Sequence, residues 1–485
     1  MNRHFPSMAG SRRDFLRRAG CGFGMMAMNS MLASESLAVR VPHHAAKAKR
    51  VIFLFMQGGP SQMDLFEHKP ELEKRNGQPL TFQLPKNYEA PGIRDSRLFG
   101  PISKFVRQGK RGMLITDMLP HLGSVVDDLC FLHGMHADSE AHAPAIRQLH
   151  TGNSIQVRPS MGAWTMYGLG TENQNLPGFV TICPVLGGDS GSPQLFGSAF
   201  LPAIYQGTPI GKAGEAKDAR IDYLNDAGIT TAQQRRQLDF LQDVNRRHLL
   251  ESGADQELEG RAASYELAFR MQMEAPKVLD LASESDATKA MYGIGEKETD
   301  DFGRQCLMAR RMAEAGVRFV QINDSSWDHH AKLRQLLPER CKAVDKPIAA
   351  LIRDLKQRGL LDDTLVLWGG EFGRTPFDQD LSQGKAPMTD RGREHNPRGF
   401  TMFMAGGGVQ PGISYGETDE FGWDAVQGKV HIHDLHATML HLLGIDHERL
   451  TYRYTGRDFL LTDVSGRVVK EILASSAPPH ILRNV

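Results

Sequence analysis

Val51-Ile52-Phe53-Leu54-Phe55-Met56 is apolar without a break and runs directly into Gln57-Gly58-Gly59-Pro60-Ser61. A strand that is apolar at every position needs cover on both faces, as in a parallel sheet, and the glycines mark where it ends. Similar runs recur at 129–132, 179–182, 317–322, 364–368 and 400–405, with helical patterns between several of them. This alternation predicts an α/β sandwich around a mostly parallel sheet.

The chain has 485 residues, which suits one large α/β domain with insertions better than several average domains. From about residue 215 to 315 it turns rich in Ala, Glu, Gln, Arg and Leu, as in 233–250 and 257–273. That stretch reads as a mainly helical excursion. Lys plus Arg and Asp plus Glu both number 57, so no net field draws in nucleic acid or anionic lipid. Cys130, Cys183, Cys306 and Cys341 lack Cys-x-x-Cys spacing, which argues against a zinc knuckle and leaves disulfide pairing open.

At the start, Ser11-Arg12-Arg13-Asp14-Phe15-Leu16 precedes an uncharged run from Ala19 to Ala33. The run falls short of the roughly 20 apolar residues of a membrane helix. Paired arginines before such a run predict a twin-arginine signal peptide over 1–38, cleaved near Ala38, and a protein exported to the periplasm or beyond without a stable membrane anchor. A basic linker (39–48), a domain over 49–475 and a tail (476–485) complete the expected organisation.

In parallel sheets ligands bind beyond the carboxyl ends of the strands, so the polar residues after each apolar run are the candidates. Asp324-Ser325-Ser326-Trp327-Asp328-His329-His330 packs carboxylates and imidazoles suited to zinc or manganese, or to loop and cap chemistry. Glu371 and Arg374 offer a carboxylate and a guanidinium able to fork onto a tetrahedral anion, or simply a surface ion pair. The loop Gly392-Arg393-Glu394-His395 is expected to resist core burial. Ser61 and Asp64 have the spacing of a helix cap and its partner, or of a nucleophile and a ligand. His431, His433, His436 and His441 lie at helical spacing and read as mostly structural, with Asp434 as the expected N-cap.

Gly58-Gly59-Pro60-Ser61, Pro159-Ser160-Met161-Gly162-Ala163-Trp164, Glu371-Phe372-Gly373-Arg374-Thr375-Pro376 and Gly392-Arg393-Glu394-His395 resemble a family of exported bacterial proteins, domain of unknown function 1501. That family is similar to the alkaline phosphatase and sulfatase superfamily. The resemblance implies an alkaline-phosphatase-like α/β/α sandwich with a divalent metal site, Zn or Mn, at the sheet's carboxyl edge. It implies Asp64, or the region of Gln57, together with Asp328, His330, Glu371 and His395 as metal ligands and His142 at the nucleophile position. His142-Ala143-Pro144-Ala145-Ile146-Arg147 resembles the sulfatase signature with its cysteine replaced by His142, and no other Cys has the context for conversion to formylglycine. Phe372 stands where alkaline phosphatases keep a histidine.

Two readings follow. One is a metal-dependent hydrolase of phosphate or sulfate esters on a small molecule or glycan, with Arg374 steadying the anion and His142 as nucleophile or general acid. The other is a catalytically silent relative that binds a sulfated or phosphorylated glycan or a cell-surface partner. Oligomeric state is not legible in the sequence.

Overall fold

The structure is a computed structural model that describes residues 39–474 apart from 86–87, 89, 186–192, 223, 225–227, 253–255 and 383–385. The expected signal peptide and C-terminal tail therefore lie outside the described residues. The strands of the central sheet and of the pair that covers its edge are β1 (Arg50–Met56), β2 (Leu129–His136), β3 (Phe179–Ile182), β4 (Thr208–Ile210), β5 (Phe319–Asp324), β6 (Thr364–Gly369), β7 (Gly373–Gln379), β8 (Gly392–Asn396), β9 (Phe400–Ala405), β10 (Ile413–Tyr415) and β11 (Val430–His431). All but β7 and β8 join one sheet in the order β10-β2-β9-β6-β1-β5-β3-β4, with β11 beside β2. Every pairing in it is parallel except the two made by β9, which runs against β2 and β6.

β1 is buried at every residue because its alternating side chains enter two different cores. Ile52, Leu54 and Met56 face one, and Val51, Phe53 and Phe55 the other. On the face of Ile52 and Leu54 lie two long helices, Asp300–Glu314 and Leu333–Gln357, which contribute Leu307, Met308, Ile348 and Ile352. The opposite face is covered by α1 (His142–Thr151), Met161–Leu169 and Ile432–Leu442, through residues such as Leu149, Trp164, Leu435 and Met439. The fold is thus an α/β/α sandwich.

The 215–315 stretch contains the helices Thr231–Ser252, Gln256–Leu279, Asp286–Met291 and Asp300–Glu314. The last of these packs directly on the sheet, so part of the excursion is core. Residues 39–48 lie along the domain, with the backbone N–H groups of Lys47 and Ala48 donating to the Leu442 carbonyl. Cys130, Cys183, Cys306 and Cys341 are all buried as free thiols.

Two local expectations are corrected. His431, not Asp434, caps the helix Ile432–Leu442, while Asp434 sits three residues on and accepts from the His431 N–H, completing a capping box. The segment Gly392–Asn396 is also no exposed loop. It is a strand paired antiparallel with β7, and its Arg393 is fully buried because the Asp64 carboxylate neutralises it. The β7–β8 register breaks between Arg393 and His395. Such bulges re-aim side chains beside functional sites.

Candidate metal centre

The strand ends β1, β2, β5 and β6 converge at one edge of the sheet, and the β7–β8 pair covers it. The turn after β1 is tight. Gly58 has φ of +118°, and a Cβ there would stand 2.5 Å from the Asp328 nitrogen, so only glycine lets the β5 loop come this close.

Against that turn, His142 from the first turn of α1, Asp328 and His330 from the β5 loop and His395 from β8 place one ligand atom each within 4.8 Å of one another. His330 Nε2 lies 2.8 Å and His395 Nε2 3.1 Å from Asp328 Oδ1, and His142 Nε2 lies 3.2 Å from Oδ2. The His142 approach is out of line for a hydrogen bond, which leaves that buried nitrogen without a partner. The site opens outward, with the Asp328 side chain 40% accessible.

The other nitrogen of each ring fixes its tautomer. His142 Nδ1 lies 2.7 Å from Glu371 Oε1, His395 Nδ1 2.7 Å from the Glu140 carbonyl and His330 Nδ1 2.5 Å from Gln379 Oε1. All three partners are oxygen acceptors, so with a cation at the Nε2 atoms each Nδ1 would carry the proton and donate it. Each neutral ring then turns an Nε2 lone pair toward the same carboxylate. Acceptors facing an acceptor repel unless a cation lies among them, and anchoring of the outer nitrogen is the usual arrangement of metal-bound histidine. The donor set therefore fits a divalent transition metal, zinc with particular ease.

His142 is pushed up to about 9, burial opposing the charge and the Asp328 and Glu371 carboxylates outweighing it. His395 drops to about 3 through burial together with the Arg374, His142 and His330 charges, against its Asp328 contact. Burial raises the Asp328 carboxyl, but the three imidazoles and Arg374 hold it far below the usual carboxylate range.

Two residues expected as ligands stand outside the cluster. Asp64 is wholly buried, and its oxygens accept from Arg393 Nε and Nη2, the Ser61 hydroxyl and the Ile102 N–H. No lone pair is left for a metal. The Ser61 hydroxyl is committed to Asp64 at 2.5 Å, so it makes no side-chain cap. Glu371, also wholly buried, receives the Gly58 N–H on both oxygens and acts behind His142.

Arg374 is corrected more sharply. It is 1% exposed. Its guanidinium donates to the carbonyls of Gly58, Gly59 and Arg393 and, at 2.5 Å, to Asp328 Oδ1. With these bonds made it is not free to fork onto a substrate anion. Instead it ties the β1 turn, the β5 loop and β8 together.

Of the paired histidines only His330 reaches the cluster. His329 is buried and pushed down to about 4 by burial and the Arg374 charge. Asp324 likewise serves the loop, accepting from Trp327 Nε1 and Arg340. Phe372, at the position where the resemblance puts a histidine in alkaline phosphatases, stacks on His395 with ring centroids 4.4 Å apart. Glu140, Gln379 and Glu394 were missed as parts of the site, and only Glu394, beside His395, carried any signal in the sequence.

Solved structures similar to this chain include the lipoteichoic acid synthase LtaP from Listeria monocytogenes, at 11% identity over 94% of this chain and 82% of that one, with a TM-score of 0.38. The PsFucS1 sulfatase from Pseudoalteromonas sp. is similar at 12% identity over 83% of this chain and 68% of that one, TM-score 0.35. A protein in the alkaline phosphatase superfamily from Vibrio parahaemolyticus is similar at 10% identity over 88% and 78%, TM-score 0.33. No curated protein matches. The model of the family described as protein of unknown function (DUF1501) matches residues 48–473, and the chain belongs to that family.

Proposed function

We propose that the chain is a hydrolase of phosphate or sulfate esters that works with one divalent cation, zinc or manganese, held by His142, Asp328, His330 and His395. The carrying observation is the convergence of three Nε2 lone pairs on one partly open carboxylate, each ring locked from behind. A divalent ion held there would polarise an ester oxygen and acidify water. The protein's own part is positional. Glu371 keeps the His142 proton on Nδ1 and leaves Nε2 facing the cluster, Arg374 holds Asp328 ionised, and Phe372 shields the His395 ring. His142 serves this reading as a ligand sooner than as a nucleophile, because its Nε2 lies in the same cluster as the other donors.

One observation favours the binding alternative, a silent relative that holds a sulfated or phosphorylated glycan or a cell-surface partner. Arg374 is consumed internally by the Gly59 carbonyl and Asp328. Elemental analysis of the purified protein, followed by a panel of aryl phosphates and sulfates, separates the two. Metallated protein that turns over an ester supports the hydrolase, and metallated protein inert to the panel supports the binder. His142→Ala refines the mechanism. Loss of metal together with activity places His142 among the ligands, whereas loss of about a hundredfold in turnover with metal retained makes it an acid–base group.

The place of action follows from the paired arginines. Among the described residues no helix is long and apolar enough to cross a membrane. Export by the twin-arginine route requires Arg12 and Arg13, and replacing both with Lys should abolish processing; undiminished export would refute it.

A further inference from the structure

Gln379 is 2% exposed on β7 and faces Glu394, 6% exposed, on the partner strand β8. Its amide is held at three points. Nε2 donates to Glu394 Oε2 and, at 2.7 Å, to the Pro91 carbonyl, while Oε1 takes the His330 Nδ1 proton at 2.5 Å. Two of these partners are pure acceptors, so the nitrogen end must face them and the oxygen end must face His330. Glu394 is itself anchored, accepting the His395 N–H at 2.9 Å on its other oxygen while its own N–H donates to the Thr375 hydroxyl. It stands 3.8 Å from His330 Nδ1, too far to replace Gln379 directly.

From this geometry we infer that Gln379, its amide oriented by Glu394, is a positioning residue that fixes the His330 tautomer and so delivers the His330 Nε2 lone pair to the cation. The inference rests on the cluster being a cation site; in the cation-free chain Asp328 Oδ1, 2.8 Å from His330 Nε2, competes with Gln379 for the proton, and the balance between them is what Gln379 tips. The chain of causes is short. Glu394 takes the amide N–H, the amide oxygen is thereby aimed at His330, His330 keeps its proton on Nδ1, and Nε2 stays free. Reverse the amide and the order inverts, because an N–H facing Nδ1 would move the proton to Nε2 and close that ligand position.

The direct test uses the full chain labelled with nitrogen-15 at histidine, the His330 signals being assigned by their loss in His330→Ala. Gln379→Leu, close in size, removes the acceptor. Glu394→Gln keeps shape but lets the amide of Gln379 turn over. In cation-free wild type Gln379 Oε1 and Asp328 Oδ1 compete for the His330 proton, and in both variants the share held on Nδ1 should fall. Zinc affinity, measured by competition with a chelating dye, should fall about 10–100-fold in Gln379→Leu, the range seen when outer partners of metal-binding histidine are lost. Glu394→Gln should show the smaller fall, since Pro91 still holds the amide. The exchanged double variant, Gln379→Glu with Glu394→Gln, presents His330 with an obligate acceptor again and should restore the Nδ1 proton, which a merely structural role would not predict. If Gln379→Leu leaves the Nδ1 share of the proton unchanged, or lowers it with zinc affinity unchanged, the inference is overturned. Wild type that binds no zinc would instead sink the cation reading, and the tautomer measurement would still decide the role of Gln379.

Discussion

The molecule holds two groups of histidines at neighbouring places, and they do opposite things. In the first group every ring gives one nitrogen to an oxygen acceptor and turns the other onto Asp328, near the surface. In the second, His150 Nδ1 bonds the Ile146 carbonyl, His433 Nε2 the Gly152 carbonyl and His436 Nε2 the Leu149 carbonyl, and no carboxylate gathers the remaining nitrogens. His150 and His436 are buried completely and pushed down to about 4 and about 3, chiefly by that burial. Density of histidine along the chain does not separate the clustered rings from the scaffold rings. The destination of the second nitrogen does.

The largest break in this comparison should come from Asp328→Ala. Losing the shared carboxylate should weaken zinc binding by more than about 100-fold, beyond the loss of any outer partner. His436→Ala should leave zinc affinity unchanged and lower stability by about 1–3 kcal/mol, the usual result of removing a buried hydrogen-bonded group. Equal effects of the two variants on zinc content would erase the distinction.

Next come the buried arginines. Arg374→Met leaves several carbonyls and Asp328 without a donor and should destabilise the fold by roughly 3–5 kcal/mol in denaturant titration. An anion clamp would predict instead a stable protein with a raised KM. A smaller contrast sets Glu371 against Asp64. Glu371→Gln should weaken zinc binding by about tenfold through His142, while Asp64→Asn should cost stability by uncovering Arg393 and leave zinc content intact.

Acid provides the gentlest test. His150 and His436 have folded pKa values below the unfolded value of about 6.5, so their neutral forms are favoured by folding. Their contribution is present above about pH 6.5 and is lost as pH falls toward 4 and then 3. The denaturation midpoint of the cation-free protein should fall across that window, and less steeply in His436→Asn.

Much of the sandwich was legible because each sheet strand that lies between two cores is apolar throughout, as β1 shows. The rule that chemistry follows an apolar run also led to Asp328 and His330 after β5 and Glu371 after β6. It could not separate a ligand from the residue behind it. Asp64 obeys the same rule and is spent on Arg393, a partner more than three hundred residues away in sequence. Arg374 looked like a surface clamp because nothing local reveals the carbonyls that the β1 turn and the paired strand β8 bring to it. His395 broke the rule for a topological reason. It precedes an apolar run, and that run is β9, the reversed strand, whose amino end lies where the parallel strands finish.

The four clustered residues proposed to hold the cation sit at positions 142, 328, 330 and 395, on segments that meet only when the whole sheet has formed. An unfolded chain would have to close very long loops to gather them. A bound ion would therefore report completed assembly and reinforce it, adding about 4 kcal/mol of resistance to unfolding at a free concentration a thousand times its dissociation constant. Chelation would then act as a slow solvent for the entire domain, loosening strands that never touch the ion.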